Sequence, residues 1–384
     1  MAAKRYLIVS RWFHPANSPR AHRTTELAKE LSRQGHQVTV VAPYDPQQLK
    51  LAKEFGIRLV DLGSGRLPAI PTKFKGRPSF FLRAIRRTAL MSLAYPEIDL
   101  VPRVLTALKN LPKHDVLISI AAPHQVHWGT ARAIKANGNL ADVWIADCGD
   151  PFMGQENDSF RPAFYFAYAE KAFCRVADAI VVPIEGARGA YYPEFHEKIH
   201  VIPQGFRFED YVHLKGKHPG GKGLVRFAYA GLFIPGRRDP SALLEVLKGS
   251  RCSFEFHIFS GNPDIVKPFA DLDERIIIRD FMPRMELMSE LASMDFLINI
   301  ENAGAKQSPS KLIDYWLCGR PILSVETSSV SEGIVSEFLN RNYVHRYVID
   351  QPGRYNISTI AKSFDALASE VLAVRKLQGG GGAR

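Results

Sequence analysis

Residues 307–323, QSPSKLIDYWLCGRPIL, have the pattern of a loop, a short helix and a buried strand. Ser308 or Ser310 can cap the first helical turn, and Pro309 suits the first position of a helix. Gly319 is a natural stop for that helix. The stretch therefore predicts a loop–helix–strand unit in which the helix N-terminus faces the loop.

The N-terminus of this predicted helix is a candidate anion site. Unpaired backbone N–H groups and the positive end of the helix dipole gather there and can hold an anion. Lys311 adds a full charge in the first turn, and Asp314 lies at i+3 from it, so both side chains can face one ligand. These features suit a nucleotide, with the diphosphate on the N–H groups and Lys311 and the ribose hydroxyls on Asp314. An ordinary capped helix with a Lys–Asp surface pair fits the same residues, and the stretch alone leaves both interpretations open.

Apolar, β-branched runs alternate with helical patterns along the whole chain. Strands are predicted at residues 6–10, 37–42, 58–62, 115–121, 143–148, 178–183, 199–203, 225–231, 254–260, 275–281, 296–301 and 321–325. In the first half, helices are predicted near 19–34, 79–95, 98–111, 124–137 and 159–176. This alternation is typical of mostly parallel, doubly wound sheets, so we predict an α/β protein with two Rossmann-like domains facing across a cleft.

The predicted domains are residues 1–204 and 225–355, because 384 residues exceed one typical core. A segment rich in Gly and Pro at 205–224 is the predicted linker. Residues 356–384 comprise a last helical pattern, expected to pack back across the first domain, and a flexible Gly-rich tail. In such folds ligands bind at the carboxyl ends of the strands.

The composition is that of a globular protein, with 46% hydrophobic residues. No apolar run approaches the roughly 20 residues that span a bilayer, and the first residues run straight into a predicted strand without a signal peptide. The four cysteines lack metal-ligand or CxxC spacing, which favours thiols in a reducing compartment. We therefore expect a cytoplasmic protein.

The net charge of +11 permits anionic partners without selecting one class. No DNA- or RNA-binding motif is present, and aromatic residues are not interleaved with the basic runs as a stacking platform requires. A nucleic-acid partner is therefore not expected.

Two loops that follow predicted strands in the first half carry candidate site residues. Asn17 and Ser18 lie between the first strand and the first helix, where phosphate can meet a helix N-terminus, although the usual glycines are missing. His124 and His127 lie at i and i+3 after the fourth strand. We do not expect metal there, because no third ligand is evident nearby in the sequence. One histidine touching substrate, and a packed or exposed histidine, both remain open.

Two carboxylates, Asp147 and Asp150, follow the buried strand at 143–148. Acids at the carboxyl end of a strand can position a hydroxyl or accept its proton. An Asp turn before Pro151 is the alternative. Asp150 is the better functional candidate because it lies further into the loop.

In the second half, Arg237 and Arg238 precede a predicted helix and can clamp a diphosphate, or form a surface pair with Asp239. Two further loops at strand ends contain Gly261 and Met282. Their backbone groups are candidates for a nucleotide-base pocket.

A basic amphipathic helix is predicted within residues 66–96, a segment with seven basic residues and no acid. Arg83, Arg86 and Arg87 lie roughly opposite an apolar face formed by Phe81, Leu82, Ile85, Ala89 and Leu93. Such a helix can lie on an anionic membrane or hold a phosphorylated acceptor. A helix packed on its own sheet with a solvated basic face is the alternative.

With these pieces in place, the chain resembles the retaining glycosyltransferases of the GT-B fold, specifically family GT4 (glycosyltransferase group 1). The resemblance covers roughly residues 5–370. It is carried by YLIVSRWFHP at 6–15, ELAKEL at 26–31 with GHQVTVV at 35–41, AAPHQVH at 121–127, DCGDP at 147–151, VIPQG at 201–205 and SPSKLIDYWLCGRPIL at 308–323. These segments are similar to the family's "ELA..L...GH.VTVV", "VIPNG" and "PSKL.EY...G.P" motifs and to the "PPHSVH" and "DFRDPW" of one subgroup.

The resemblance implies that the second domain binds a nucleotide-diphosphate sugar and the first binds the acceptor. Arg237 matches the basic diphosphate ligand after the Gly231 strand, Lys311 lies beside that diphosphate, and Asp314 matches the second acid of the E-x7-E motif, which holds the ribose. The implied donor site comprises Asn17, Ser18, Gly231, Arg237, Arg238, Gly261, Met282, Ser308, Pro309, Ser310, Lys311, Leu312 and Asp314. His124 or Asp150 would contact the reacting sugar and acceptor. No cofactor or metal is expected, because basic side chains and helix dipoles neutralise the leaving diphosphate.

Four positions depart from the family pattern. Lys306 replaces the first acid of E-x7-E, for which Glu301 is a possible substitute. Leu232 occupies a position where the family often has an arginine, and Arg238 can take the place of that arginine. Gly149 replaces the subgroup's Arg or the wider family's His, and Asn17–Ser18 replaces a glycine pair.

The leading hypothesis is a sugar transferase that acts on a glycan or lipid-linked acceptor in surface glycan biosynthesis, cytoplasmic or peripheral at the inner face of the membrane. A nucleotide-sugar 2-epimerase shares this fold. A catalytically silent nucleotide-sugar-binding or partner protein is favoured by Lys306 and Leu232.

Overall fold

The computed structural model describes residues 2–71, 73–74, 77–78, 80–149, 151–154, 161–216, 223–280, 282–301 and 311–379. They form two compact units. The first extends to Phe206 and resumes at Arg354, and the second is Arg207–Gly353. The boundaries predicted from the sequence, 204 and 355, lie beside these two positions.

The first unit contains a seven-stranded parallel sheet in the order β3-β2-β1-β6-β7-β8-β9. Its strands are β1 (Arg5–Ser10), β2 (Gln37–Ala42), β3 (Arg58–Asp61), β6 (His114–Ile120), β7 (Ala141–Asp147), β8 (Ala179–Val182) and β9 (Ile199–Val201), and a separate short antiparallel pair is β4 (Lys73–Phe74) with β5 (Arg77–Pro78). Its helices are α1 (Pro19–Arg33), α2 (Gln48–Phe55), α3 (Phe80–Leu93), α4 (Leu100–Leu108), α5 (Gln125–Ala136), α6 (Phe166–Val176) and α12 (Ile357–Gly379). The central strands are buried apolar runs because helices cover both faces of the sheet.

The C-terminal helix α12 completes one face of this first sheet. Ile360 and Phe364 are buried against the strands. The Tyr6 hydroxyl and the Lys4 ammonium both donate to the Asp365 carboxylate, at 2.6 and 2.7 Å. Polar and apolar contacts therefore fix α12 to the first unit.

The register of the sheet brings three loops to one edge. Val9 pairs with Ser119, and Ile120 pairs with Asp147, so β1, β6 and β7 end together. The strand order reverses between β1 and β6, which is the position where open α/β sheets bind ligands.

The second unit contains a five-stranded parallel sheet in the order β12-β11-β10-β13-β14. Its strands are β10 (Val225–Ala230), β11 (Phe254–Phe259), β12 (Ile276–Arg279), β13 (Phe296–Ile300) and β14 (Ile322–Val325), and its helices are α7 (Ser241–Gly249), α8 (Lys267–Ala270), α9 (Arg284–Ala292), α10 (Lys311–Leu317) and α11 (Glu332–Leu339). Phe227 stacks between Phe256 and Phe296, with ring centroids 4.8 and 4.5 Å away. This aromatic stack forms the centre of the second core.

Three of the differences from the sequence-based expectation concern helices. The segment predicted as linker contains a 3-10 helix, Phe208–Leu214, because Tyr211 and Leu214 are buried. The helix predicted from residue 159 begins at Phe166, since the Ala163 N–H donates to the Met91 carbonyl instead of starting a helical ladder. Helix α2 was not among the predicted elements.

None of the helices that the structure describes is long and apolar enough to cross a membrane.

Candidate functional site

The Lys311 ammonium lies in a buried position in the second unit. Its Nζ is 4.3 Å from the centre of the Tyr229 ring, and no described residue hydrogen-bonds it. Burial, together with the nearby Arg238 charge, lowers the pKa of Lys311 well below its usual value. An ammonium that is removed from water without a partner destabilises the fold, so a bound anion would relieve that cost.

Arg238 lies closer to this ammonium than the sequence pattern suggests. Its guanidinium is half-buried and donates to the Leu232 carbonyl at 3.4 Å. Burial raises the pKa of Tyr229 to about 12, and the charge of Arg238 near the Tyr229 hydroxyl opposes that rise. Arg238 therefore supplies a cation beside Leu232, where the family often has an arginine.

Arg237 is exposed, and in the described part of the chain its side chain forms no hydrogen bond or ion pair. Its carbonyl accepts from the Thr327 hydroxyl at 2.8 Å, which holds the backbone of the loop. A role for Arg237 as diphosphate ligand remains a prediction.

Gly231 allows the chain to turn at the end of β10. Its φ of +146° is rarely adopted by other residues, and a side chain there would approach the Tyr229 hydroxyl at 3.3 Å. The glycine thus keeps the backbone close to the Lys311–Tyr229 contact.

Asp314 pairs with a side chain that the sequence pattern did not identify. Its carboxylate accepts from Arg284, which also donates to the Tyr211 hydroxyl, and no ion pair joins it to Lys311. The surface Lys–Asp pair considered as an alternative is therefore absent among the described residues. Burial raises the pKa of Asp314, and the Arg284 charge opposes this. A ribose hydroxyl at Asp314 would share the carboxylate with Arg284.

Three further predicted donor residues lie in the second unit: Gly261 follows β11, Met282 follows β12, and Leu312 lies in α10. The loops of Gly261 and Leu232 touch, and the Asn262 amide donates to the Phe233 carbonyl at 2.8 Å while accepting from its N–H at 3.0 Å. Met282 is half-buried after β12. The Leu312 side chain is buried in the core, which leaves only its backbone for a ligand.

Part of the predicted donor motif lies outside the described residues, namely Lys306, Ser308, Pro309 and Ser310. Glu301, proposed as a substitute acid, immediately follows β13, and its carboxylate accepts from the Ser324 hydroxyl at 2.7 Å.

In the first unit, Ser18 and Asn17 differ in their roles. The Ser18 hydroxyl accepts from the Ala21 N–H at 3.2 Å and caps α1, whereas Asn17 is exposed. Ser18 therefore has a structural role at the helix start, and donor contact by either residue remains a prediction.

Asp147 is a structural acid. It accepts from Arg23 at 2.7 and 3.2 Å, and the two side chains are 1% and 2% exposed. Arg23 also donates to the carbonyls of Ile202 and Pro203, so the pair ties α1, β7 and the segment after β9 together. Asp150, the preferred functional acid, lies outside the described residues.

Arg20 is a residue that the sequence-based reasoning missed. A Cβ built on Gly149 would lie 1.8 Å from Nη2 of Arg20, so the guanidinium occupies the space of a side chain at 149. The Arg20 charge contributes to the lowered pKa of His127. Arg20 thus places a cation beside the position where the subgroup has its arginine. The signal in the sequence was Gly149 itself, because a residue without a side chain leaves room for the side chain of another residue.

Three side chains able to ligate a metal meet where β6 and β7 end. One ligand atom each of His124, His127 and Cys148 lies within 4.8 Å of the other two, and all three residues are buried. Sequence spacing shows no third ligand near the histidines, whereas the fold brings Cys148 beside them. His124 is 4% exposed, and its predicted contact with substrate remains a prediction.

No residue of helix α3 is buried, which favours an exposed amphipathic helix over the alternative of a helix packed on its own sheet. Phe81 and Leu93 of its predicted apolar face are 71% and 61% exposed. Arg83 and Arg86 are exposed, and Arg87 is half-buried.

Comparisons with known proteins agree with this architecture. Residues 21–209 match the model of Glycosyltransferase Family 4. The fold is similar to a glycosyltransferase from Rickettsia africae ESF-5, with 12% identity, 97% of this chain and 99% of that chain covered, and a TM-score of 0.59. It is also similar to the lipopolysaccharide outer core galactosyltransferase WaaB in its apo form (12% identity, 95% and 99% covered, TM-score 0.57) and to Anabaena Alr3699/HepE in complex with UDP and glucose (12% identity, 98% and 98% covered, TM-score 0.51).

No curated protein sequence matches. The structural likenesses establish the GT-B fold. The family match shows that the chain contains a glycosyltransferase family 4 domain, of a retaining family that uses nucleotide-sugar donors.

Proposed function

We propose that this glycosyltransferase moves a sugar, with retention of configuration, to a glycan or lipid-linked acceptor during the biosynthesis of a surface polysaccharide or glycoconjugate. The observation that carries the donor side is the buried Lys311 ammonium, which lies over Tyr229 with Arg238 close by. WaaB, a lipopolysaccharide galactosyltransferase, and HepE, bound to UDP and glucose, support this class of reaction.

In the proposed mechanism the leaving diphosphate binds Lys311, with Arg238 and the exposed Arg237 adding charge. Fixed cations at the departing oxygens stabilise the transition state more than the ground state, because negative charge grows on those oxygens as the glycosidic bond breaks. The leaving phosphate then helps to deprotonate the acceptor hydroxyl. We propose that no divalent cation is needed for transfer, since these side chains already neutralise the diphosphate.

The acceptor side is supported by an exposed apolar surface on the first unit. Phe81 and Leu93 of α3 lie on it together with Phe164 and Tyr168, which are 78% and 73% exposed. Two hydrogen bonds join the two segments: Ala163 N–H donates to Met91 O at 2.9 Å, and Tyr165 donates to Ser92 O.

Exposed basic side chains accompany this apolar surface. Arg83 and Arg86 lie on α3, and Arg161 precedes the aromatic segment. Apolar side chains beside clustered arginines suit the interface of an anionic membrane. We propose that the protein is peripheral at the inner face of a membrane, where a lipid-linked acceptor is present.

An apolar crevice of about 340 Å³ lies between α5 and α6 in the same unit. Its lining includes Trp128, Tyr165 and Phe166, together with Arg132 and Lys135. An acyl or isoprenoid chain fits an apolar lining, and the two cations suit a lipid phosphate. The crevice is thus a candidate position for the lipid part of an acceptor.

The donor is tested by calorimetric titration with UDP-, GDP- and ADP-sugars. The donor that binds is then incubated, without added divalent cation, with the protein and a bacterial lipid extract. We expect labelled sugar to enter the lipid fraction. If a donor binds but is neither hydrolysed nor transferred to any extract or glycan, the proposed activity is refuted.

Membrane contact is tested separately with Arg83→Glu/Arg86→Glu. Each basic residue at an anionic surface contributes about 1 kcal/mol, so the double reversal should lower partitioning onto anionic vesicles by roughly 30-fold or more. Lys50→Glu/Lys53→Glu makes the same charge change at exposed positions of α2 and should leave most binding intact. Equal losses in both variants would mean that net charge, not this surface, drives binding.

A further inference from the structure

We propose that His124, His127 and Cys148 bind one Zn²⁺ ion in the interior of the first unit. Their ligand atoms lie within 4.8 Å of one another, and the ligand set is two imidazoles and one thiol. Borderline-soft Zn²⁺ prefers nitrogen and sulfur ligands. The sugar-transfer mechanism uses neither His127 nor Cys148.

The distance between two of the ligand atoms suits a shared ion. His127 Nε2 and Cys148 Sγ are 3.4 Å apart. Zinc bonds of about 2.0–2.1 Å to nitrogen and 2.3 Å to sulfur, at a tetrahedral angle, place the two ligand atoms about 3.5 Å apart. The pair therefore needs little movement to accept an ion.

The other nitrogen of His127 is already oriented as in a metal site. His127 Nδ1 shares a hydrogen bond of 2.8 Å with the Ser119 hydroxyl, which also accepts from Trp144 Nε1 at 2.8 Å. Outer partners of this kind fix the ring and its tautomer, so that Nε2 can face the ion. Ser119 lies on β6 and Trp144 lies on β7, so the His127 ring has a rigid support.

Aromatic side chains border the three ligands. The Phe173 ring lies 4.9 Å from the His127 ring, and the Phe152 ring lies 5.6 Å from the His124 ring. Apolar neighbours of this kind limit solvent access to a metal site.

The consequence for the protein is a link between two loops at the sheet edge. His124 and His127 begin α5, and Cys148 immediately precedes Gly149 and Asp150. An ion shared by these residues joins the start of α5 to the end of β7.

The test measures zinc in the full chain after expression in zinc-supplemented medium and gel filtration without chelator. We expect about one zinc per chain, as for a structural site. Cys148→Ala should retain less than about a tenth of it. Cys174→Ala removes another buried free cysteine and should retain all of it.

Cobalt substitution gives a second measurement that does not depend on the variant's folding. Co²⁺ bound to the wild type and to Cys174→Ala should show a sulfur-to-cobalt charge-transfer band and the visible bands of a tetrahedral ion. A folded wild-type protein that has neither zinc nor this cobalt spectrum overturns the proposal. His127 and Cys148 would then form only a buried hydrogen bond. Equal zinc in the wild type and Cys148→Ala also overturns it, because the ion then lies elsewhere. Neither measurement involves sugar transfer, so the two proposals fail independently.

Discussion

The carboxyl edges of the two sheets hold buried charge in opposite ways. In the first unit, Arg23 and Asp147 neutralise each other, and the remaining donors of Arg23 reach backbone carbonyls. In the second unit, the Lys311 ammonium is buried over Tyr229 with no hydrogen-bond partner among the described residues. A satisfied buried ion pair holds elements together, whereas an unsatisfied buried cation costs stability and gains from an anionic ligand. The difference indicates a structural role for the buried pair of the first unit and supports the proposed anion binding at Lys311 in the second unit.

The largest expected effect is on the satisfied pair. Arg23→Ala leaves Asp147 buried without its cation, which should lower the free energy of unfolding by roughly 3–5 kcal/mol. Denaturant unfolding followed by circular dichroism measures this. Arg5→Ala breaks the exposed Arg5–Asp115 pair and should cost less than about 1 kcal/mol. Similar losses in the two variants would contradict the distinction between a buried structural pair and a surface pair.

The second effect concerns ligand binding by Lys311. Lys311→Met removes a charged donor and should weaken binding of the nucleoside diphosphate by about 1.5–3 kcal/mol, or roughly 10- to 150-fold. Calorimetry with the diphosphate and with the corresponding nucleoside separates the phosphate contact from the base and ribose contacts. Binding of the nucleoside should not change, and neither should either affinity in Lys248→Met, which alters an exposed lysine of α7. Equal loss of diphosphate and nucleoside binding would exclude a phosphate contact.

The third effect is on the pH dependence of stability. The pKa of Lys311 is lowered in the folded state, so between that value and about 10.5 the unfolded chain binds the extra proton. Stability should therefore rise with pH in this window, and below it the folded state carries the full cost of the buried ammonium.

Lys311→Met should remove this slope and raise the free energy of unfolding at neutral pH, because the substitution removes the buried ammonium whose pKa is lowered in the folded state. Unfolding curves at several pH values measure both quantities. An unchanged slope, or lower stability at neutral pH, would mean that the ammonium is satisfied in the native protein.

Most of the fold could be predicted from the sequence because parallel strands buried on both faces are continuous apolar runs. Strand β2 was predicted at 37–42 and is observed at Gln37–Ala42, and β10 differs from its prediction by one terminal residue. Helix α2 was missed because it is short and has few buried residues to produce an apolar period. The 3-10 helix Phe208–Leu214 was missed because nearby glycines indicated a linker, whereas tertiary packing of Tyr211 and Leu214 decided its structure.

The candidate site was harder to predict, because its contacts join residues far apart in the sequence. Lys311 could be selected from its place in a helical turn, but its contact with Tyr229 joins helix α10 to strand β10, which lies far away in the sequence. Asp314 was expected to share a ligand with Lys311 on the basis of helical spacing, and its partner is Arg284 on another helix. Cys148 had no recognisable spacing to the histidines. Local patterns therefore identify candidate side chains, while the fold chooses their partners.

The smallest expected effect is at Gly149. It tests whether Arg20, at the carboxyl edge of the first sheet, is available to contact the acceptor. In Gly149→Ala the new methyl group meets the end of the flexible Arg20 side chain, which can move aside, so stability should fall by at most about 1 kcal/mol. Gly138→Ala places its methyl group in open space and serves as the control. If Arg20 contacts the acceptor, Gly149→Ala should lower kcat/KM, and in an Arg20→Ala background it should lower it no further, because coupled residues are not additive. Losses that add in the double variant would show that the two positions act separately, and Arg20 would then not be the cation that replaces a side chain at 149.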